Sequence, residues 1–287
     1  MKGAAMSSTT MHGTAVTVNE LAIAHSRSGA RVVQGVTFSL KRGRALGIVG
    51  ESGSGKTLTC RAILGILPRA FEVADGWVTL NGRNIATFTR KDWNAVRGRT
   101  ISAVFQDPAS YLNPAIRVGK QIEEIFTAQQ LLPRREAKQR VLQLFEALQL
   151  RDPDYVFQQY RHELSGGMLQ RVLIAAAIAQ DPQVLIADEA TTALDVTVQA
   201  EILDLLLDLK QRTALALLVV SHDLAVVAQL CDEVLVMKAG VVVEQGPVDQ
   251  ILRRPQHAYT QLLVSEHSSF GLERFMTAPS AELDHVP

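Results

Sequence analysis

Gly50 to Thr57 read GESGSGKT, and no other stretch of the 287-residue chain restricts its fold as tightly. The octet fits G-x-x-x-x-G-K-[ST] in full, follows the apolar run ALGIV and precedes the helical pattern LTCRAILGIL. A strand, a glycine-rich turn and a helix in that order make a phosphate cradle, because loop N–H groups and the helix dipole converge on one spot. Gly50, Gly53 and Gly55 let the backbone of the loop, which also includes Glu51, Ser52 and Ser54, curl so that loop N–H groups face the β-phosphate. Lys56 brings a point charge to the β- and γ-phosphates, and the Thr57 hydroxyl is a ligand for Mg²⁺.

Period-two patterning surrounds this loop. VTVNELAIAH, VVQGVTFSL and ALGIVG read as strands broken at SRSGAR; a helix runs from Lys56 to Leu67, closed by Pro68; GWVTLNG and ISAVFQ are strands again. Val118 to Leu150 reads as two amphipathic helices parted near Pro133, which implies a helical insertion. From Gly166 the alternation resumes: helix 166–180, strand QVLIAD, helix 196–212, strand ALALLVV, helix 223–230, strand EVLVMK. Strands alternating with helices imply a mostly parallel sheet covered on both faces. AGVVVEQG reads as a last strand pair and VDQILRRP and HAYTQLL as short terminal helices, with residues 266–287 frayed.

Several chemical side chains fall at strand ends. Asp188 closes the apolar strand VLIAD, placed to hold a Mg²⁺ shell, and Glu189 follows where an attacking water would stand. His222 ends VVSH, on a strand expected beside the acid-bearing one. Gln106 ends VFQ and carries an amide able to meet Mg²⁺ or the water. A second anion-binding turn, LSGGMLQR, opens the helix at Gly166; Ser165, Gly166 and Gly167 present a hydroxyl and backbone donors there.

Composition removes several classes. The 29 basic residues balance 29 acidic ones, so the chain lacks the charge excess of a nucleic-acid binder. Cys60 and Cys231 are the only two cysteines and sit in apolar patterns, which reads as buried thiols in a reducing compartment. The first residues hold no apolar run of signal-peptide length, and no stretch approaches the ~20 apolar residues of a membrane span.

In this order, phosphate loop, strand-end Gln106, LSGGMLQ, VLIADE, ALD and strand-end His222 resemble the nucleotide-binding subunits of ABC transporters, over nearly all of residues 16–264. The resemblance implies an α/β P-loop NTPase (RecA-like) core with an antiparallel β subdomain and an inserted helical subdomain at about 107–165, between a disordered 1–15 and a tail at 265–287. It implies ATP hydrolysis with Mg²⁺. It also implies that Ser165 to Gly167 close on ATP held by a second ATP-binding subunit, a second copy or a related chain, with Asp195 at the same interface. Thr57, Gln106 and Asp188 become the metal set; Glu189, His222 and Gln106 the catalytic set. Two integral membrane permease subunits would dock on the insertion, a periplasmic solute-binding protein would act indirectly, and the chain would lie on the cytoplasmic face of the inner membrane.

Within the family, FQDPASYLNP and GPVDQILRRPQHAYTQLL look like the dipeptide, oligopeptide and nickel importer branch, and the short ending is most similar to its nickel-uptake subunit. Nickel or a metal chelate is therefore the first expectation for cargo, and peptides the second. His25 stands where the family places an aromatic ring against adenine, and Ala190 where it commonly has proline. A soluble ABC-type ATPase of DNA repair or translation would call for two modules, a coiled-coil insertion or zinc cysteines, none of which is present. A P-loop GTPase would carry a guanine motif of the NKxD type, and a regulatory subunit without turnover tends to lose the carboxylate kept here at Glu189.

Overall fold

The computed structural model describes residues 13–128, 131–190 and 195–267. From the N-terminus come β1 (Thr14–His25), β2 (Arg31–Lys41), β3 (Ala45–Val49), α1 (Lys56–Ile63), β4 (Phe71–Leu80), β5 (Arg83–Asn84), α2 (Arg90–Val96) and β6 (Ile101–Val104). Three helices follow, α3 (Val118–Thr127), α4 (Arg134–Ala147) and α5 (Pro153–Gln158). The chain then alternates through α6 (Gly166–Ile178), β7 (Val184–Asp188), α7 (Val196–Thr213), β8 (Ala216–Ser221), α8 (Leu224–Leu230) and β9 (Glu233–Lys238). The described residues close with β10 (Val241–Pro247), α9 (Val248–Arg253) and α10 (Ala258–His267). Of the segments expected at 1–15 and 265–287, residues 1–12 and 268–287 lie outside the described residues, as do residues 191–194 of the stretch leading to Asp195.

Two sheets form. The antiparallel one has the order β2-β1-β4-β5, and the second, β10-β9-β3-β8-β7-β6, is parallel except for β10. Every residue of β3, β7 and β8 is buried, because both faces of the second sheet are covered. Leu185, Ala187, Leu217 and Val219 point to a core shared with α3 to α7. Their neighbours Val184, Ile186, Leu218 and Val220 point the other way, into a core shared with α1 and with Val18, Ile23 and Phe38 of the antiparallel sheet. The period of two thus sorts one run of sequence into two cores. A third cluster joins Val49, Val234 and Val236 to α8, α9 and α10.

Several boundaries differ from the sequence expectation. α1 stops at Ile63, before Gly65 at φ 63°, and not at Pro68. β4 starts at Phe71, because Gly76 sits within the strand, at φ 77° opposite the bulge at Glu20, and does not begin it. β1 starts at Thr14 and α10 continues to His267. AGVVVEQG supplies one strand, β10, paired antiparallel with β9. The helices α2 and α5 were not expected. Cys60 is fully buried, while Cys231, capping α8, is half-buried.

Candidate functional site

The parallel strands bring their carboxyl ends to one edge, where open α/β sheets place ligands. Register fixes the neighbours: Val49 pairs with Ser221, Val220 with Asp188, and Ala187 with Val104. The phosphate loop, the acid pair, His222 and the segment holding Gln106 therefore leave the sheet side by side.

Gly50 turns the chain out of β3 at φ 149°, and a Cβ there would stand 2.1 Å from the Met237 carbonyl oxygen. Gly55, left-handed at φ 101°, caps α1. Between them Lys56 is buried, its Nζ donating to the carbonyls of Gly50 at 2.6 Å and Glu51 at 2.9 Å. Burial pulls its ammonium below the ordinary value, against the raising charges of Glu189 and Asp188. The Ser54 hydroxyl, also buried, has no hydrogen-bond partner among the described residues. A buried cation held only by neutral carbonyls and an unpartnered hydroxyl suit a loop built to receive an anion.

Thr57 Oγ1 donates to Asp188 Oδ1 at 3.2 Å across 131 residues. Burial pushes the Asp188 carboxyl up, and the Thr57 hydroxyl draws it partly back. Among the described residues no three His, Cys, Asp or Glu converge as a protein-only metal cage. One carboxylate and one hydroxyl are what Mg²⁺ needs when phosphates and water complete its shell.

Glu189 sits at φ 49°, a left-handed conformation that costs a non-glycine residue about 1–3 kcal/mol. Its N–H donates to the Val220 carbonyl at 2.9 Å, fastening it to β8. The bend turns its carboxylate toward His222, with Nδ1 3.7 Å from Oε1, an ion pair only when the imidazole is protonated. Gln106 is exposed and lies two residues beyond β6, not at its end. Phe105 leaves the strand to stack on Tyr111, centroids 5.3 Å apart, and Asp107 caps the following turn by accepting from the Ala109 N–H at 3.2 Å.

Ser165 and Gly166 are exposed at the start of α6. Ser165 Oγ accepts from the Met168 N–H at 3.3 Å, which leaves its own proton free to donate outward. A Cβ on Gly167 would stand 2.5 Å from Val198 Cγ1, so a small residue is needed where α6 meets α7. Asp195 caps α7, accepting from the Val198 N–H at 2.9 Å, and so the turn and Asp195 share one region of surface. Behind them the buried guanidinium of Arg171 donates to the Leu148 carbonyl at 2.8 Å and to Glu201 at 2.7 Å, tying α6 to α7 and to the end of α4.

His25 closes β1 opposite Phe71 of β4, and the rings meet edge-on with centroids 5.6 Å apart. Sequence reading missed Phe71, for which the only local signal is an aromatic at a strand start. It also missed Tyr259 of α10, whose hydroxyl accepts from the Glu51 N–H at 3.0 Å. A groove of about 500 Å³ opens between the outer edge of β6 and the helices α3 and α6, lined by Phe105, Tyr111, Ile116, Ile122 and Leu173.

A phosphate loop whose threonine meets a strand-end carboxylate, with a second carboxylate set beside a histidine, defines a nucleoside-triphosphatase of the phosphate-loop class. Residues 33–192 match the family model described as ABC transporter. The chain is 41% identical over 273 residues to the oligopeptide transport ATP-binding protein OppD of Bacillus subtilis (strain 168), covering 93% of this chain and 76% of that one. It is 38% identical over 264 residues to the dipeptide transport ATP-binding protein DppD of Lactococcus lactis subsp. cremoris (strain MG1363), covering 91% and 76%. A dimeric post-hydrolysis structure of the ATP-binding cassette MJ0796, bound to ADP and Pi, superposes with a TM-score of 0.71 at 25% identity, covering 81% and 98%. The chain belongs to the ABC transporter family, with the ABC ATPase cassette fold, and is an ATP-binding subunit that hydrolyses ATP.

Proposed function

We propose that this subunit drives peptide import. The observation that carries the reading is identity of 41% and 38% across nine-tenths of the chain to subunits named for oligopeptide and dipeptide transport. Those names give nickel no support, so the first expectation for cargo yields to the second.

In this reading the loop Gly50 to Thr57 holds the phosphates, and Lys56 brings its ammonium to the β- and γ-phosphates. Thr57 and Asp188, joined by Gln106, are the residues that would hold Mg²⁺, which when bound polarises the γ-phosphoryl group. Glu189 orients and deprotonates the attacking water, and His222, within reach of its carboxylate, steadies that group and touches the γ-phosphate region. His25, flanked by Phe71, offers a ring to the base. Ser165, Gly166, Gly167 and Asp195 face a second ATP-binding subunit and complete its site, for which their shared exposed surface and the dimeric cassette relative are the support.

Among the described residues no helix is long and apolar enough to cross a membrane. We assign the membrane-spanning permease subunits to other chains and place their contact at the groove beside β6. Its aromatic lining and its position directly after the Gln106 segment support this. The domain limits we adopt are 16–264 for the cassette and about 107–165 for the helical insertion, at the cytoplasmic face of the membrane. The test is reconstitution with the permease and solute-binding partners in lipid vesicles. ATP-dependent uptake of a labelled di- or oligopeptide is the expected result, and uptake of nickel but not peptide would refute the cargo assignment.

A further inference from the structure

The C-terminal stretch PQHAYTQLL is not absorbed by any of these roles, yet the structure fastens it to the phosphate loop. The Glu244 carboxylate of β10 accepts from the N–H groups of Gln256 at 2.8 Å and His257 at 2.9 Å, which sets the start of α10. His257 Nδ1 then accepts from the Tyr259 N–H at 3.1 Å. The Tyr259 ring is 3% exposed, packed in the third core cluster with Val49, the residue before the loop, and Lys238 Nζ stands 4.6 Å over its face. With ring and helix start both fixed, its hydroxyl has one place to be, and there it accepts the Glu51 N–H across 208 residues of sequence. Burial pushes the phenol up from its ordinary value, so it stays an uncharged hydroxyl.

The Glu51 peptides are thus held from two sides. Tyr259 takes the N–H, and Lys56 donates to the carbonyl oxygens of Gly50 and Glu51. Phosphate competes for the Lys56 ammonium, which has three N–H donors and spends two on those carbonyls, whereas it does not compete for the Tyr259 hydroxyl. We propose that Tyr259 is a positioning residue for the phosphate loop: α10 supplies an anchor that holds the loop in its receiving shape through a bond for which an incoming phosphate does not compete. The proposal rests on ATP binding by this chain and is independent of the cargo.

A loop without the anchor samples additional shapes, and apparent affinity falls by the fraction of time it spends in the competent one. The groups that do chemistry, Asp188, Glu189 and His222, leave β7 and β8 and have no bond to Tyr259. The loss therefore belongs in binding and not in turnover.

Tyr259→Phe in the full chain removes the hydroxyl and keeps the ring. The expected result is a KM for ATP raised about fivefold, the equivalent of about 1 kcal/mol for one hydrogen bond, with kcat at saturating ATP within about twofold of the parent. Hydrogen exchange followed by mass spectrometry on a peptide spanning Val49 to Ser54 reads the bond directly, and the Glu51 amide should exchange faster in the variant. A role confined to packing would lower the melting temperature without moving either readout. An unchanged KM with unchanged Glu51 exchange, or a fall in kcat at constant KM, overturns the assignment.

Discussion

Replacing Glu189 by glutamine separates chemistry from architecture. The amide matches the carboxylate in size and takes up the same left-handed backbone, so the fold loses only a charge and its pair with His222. That pair spans 3.7 Å with the imidazole 52% exposed, and a solvent-facing ion pair contributes about 0–1 kcal/mol. For a chain of this size such a loss moves the melting temperature by no more than about 2–4 °C. Turnover is another matter, because a positioned general base contributes about 10²–10⁴ in rate, or about 3–5 kcal/mol of barrier. ATP affinity should hold or improve, since removing a negative charge near Lys56 lessens repulsion of the phosphates. Phosphate release at saturating ATP, nucleotide titration and calorimetry on one preparation provide the three numbers. A kcat within threefold of the parent would refute the role given to Glu189; a large fall in melting temperature beside the lost activity would show that the residue is structural.

Ser165→Arg puts a long cation on the exposed turn at the head of α6, and should leave ATP binding by the single chain nearly intact while abolishing ATP-driven pairing and turnover; sedimentation with and without ATP decides, and loss of primary binding would assign the turn to the wrong site. Gly50→Ala drives a methyl toward a backbone oxygen 2.1 Å away at φ 149°, so urea unfolding should show a loss of at least about 1–3 kcal/mol together with weakened ATP binding; a parental midpoint would contradict the geometry. Asp188→Asn should abolish hydrolysis yet raise the melting temperature of the nucleotide-free chain by about 2–4 °C at neutral pH. Its folded carboxyl is raised above the unfolded value, so the ionised form opposes folding at neutral pH and the penalty fades as pH falls through the folded value. The gap between parent and variant should therefore narrow in acid, and a gap independent of pH would rule out the charge as its cause.

Legibility of the sequence followed the range of the interactions involved. The strand Glu233–Lys238, the acid-ending strand Val184–Asp188 and the break at Pro133 between α3 and α4 are written in local patterning, and they lie where it puts them. The site's inner group is legible too, because GESGSGKT and VLIADE end strands, and a parallel sheet brings such ends together. α2 carries its signal at its start, in the capping box of Thr89 and Asp92, and not in apolar periodicity. α5 likewise opens on Asp152 and Pro153, a cap followed by proline in the first turn. Gly76 misled because a glycine inside a strand can serve a bulge as readily as a boundary. Phe71 beside His25 and Tyr259 beside Glu51 depend on cross-strand register and on a contact spanning most of the chain, which no short window contains.

The groove beside β6 has a practical consequence for anyone handling the chain by itself. β6 is four residues long and ends the six-stranded sheet; Ile101 meets Arg97 there in an isolated bridge and accepts from the Gly98 N–H at 2.9 Å, and among the described residues no strand pairs with the backbone groups along the rest of its outer side. Above them lie exposed Tyr111 and Ile116. An open strand edge beneath apolar side chains is a template for self-association. Prepared by itself, this subunit should lose solubility with rising concentration faster than its balanced charge alone would dictate. A charge placed at Ile116 should extend the working range in solution.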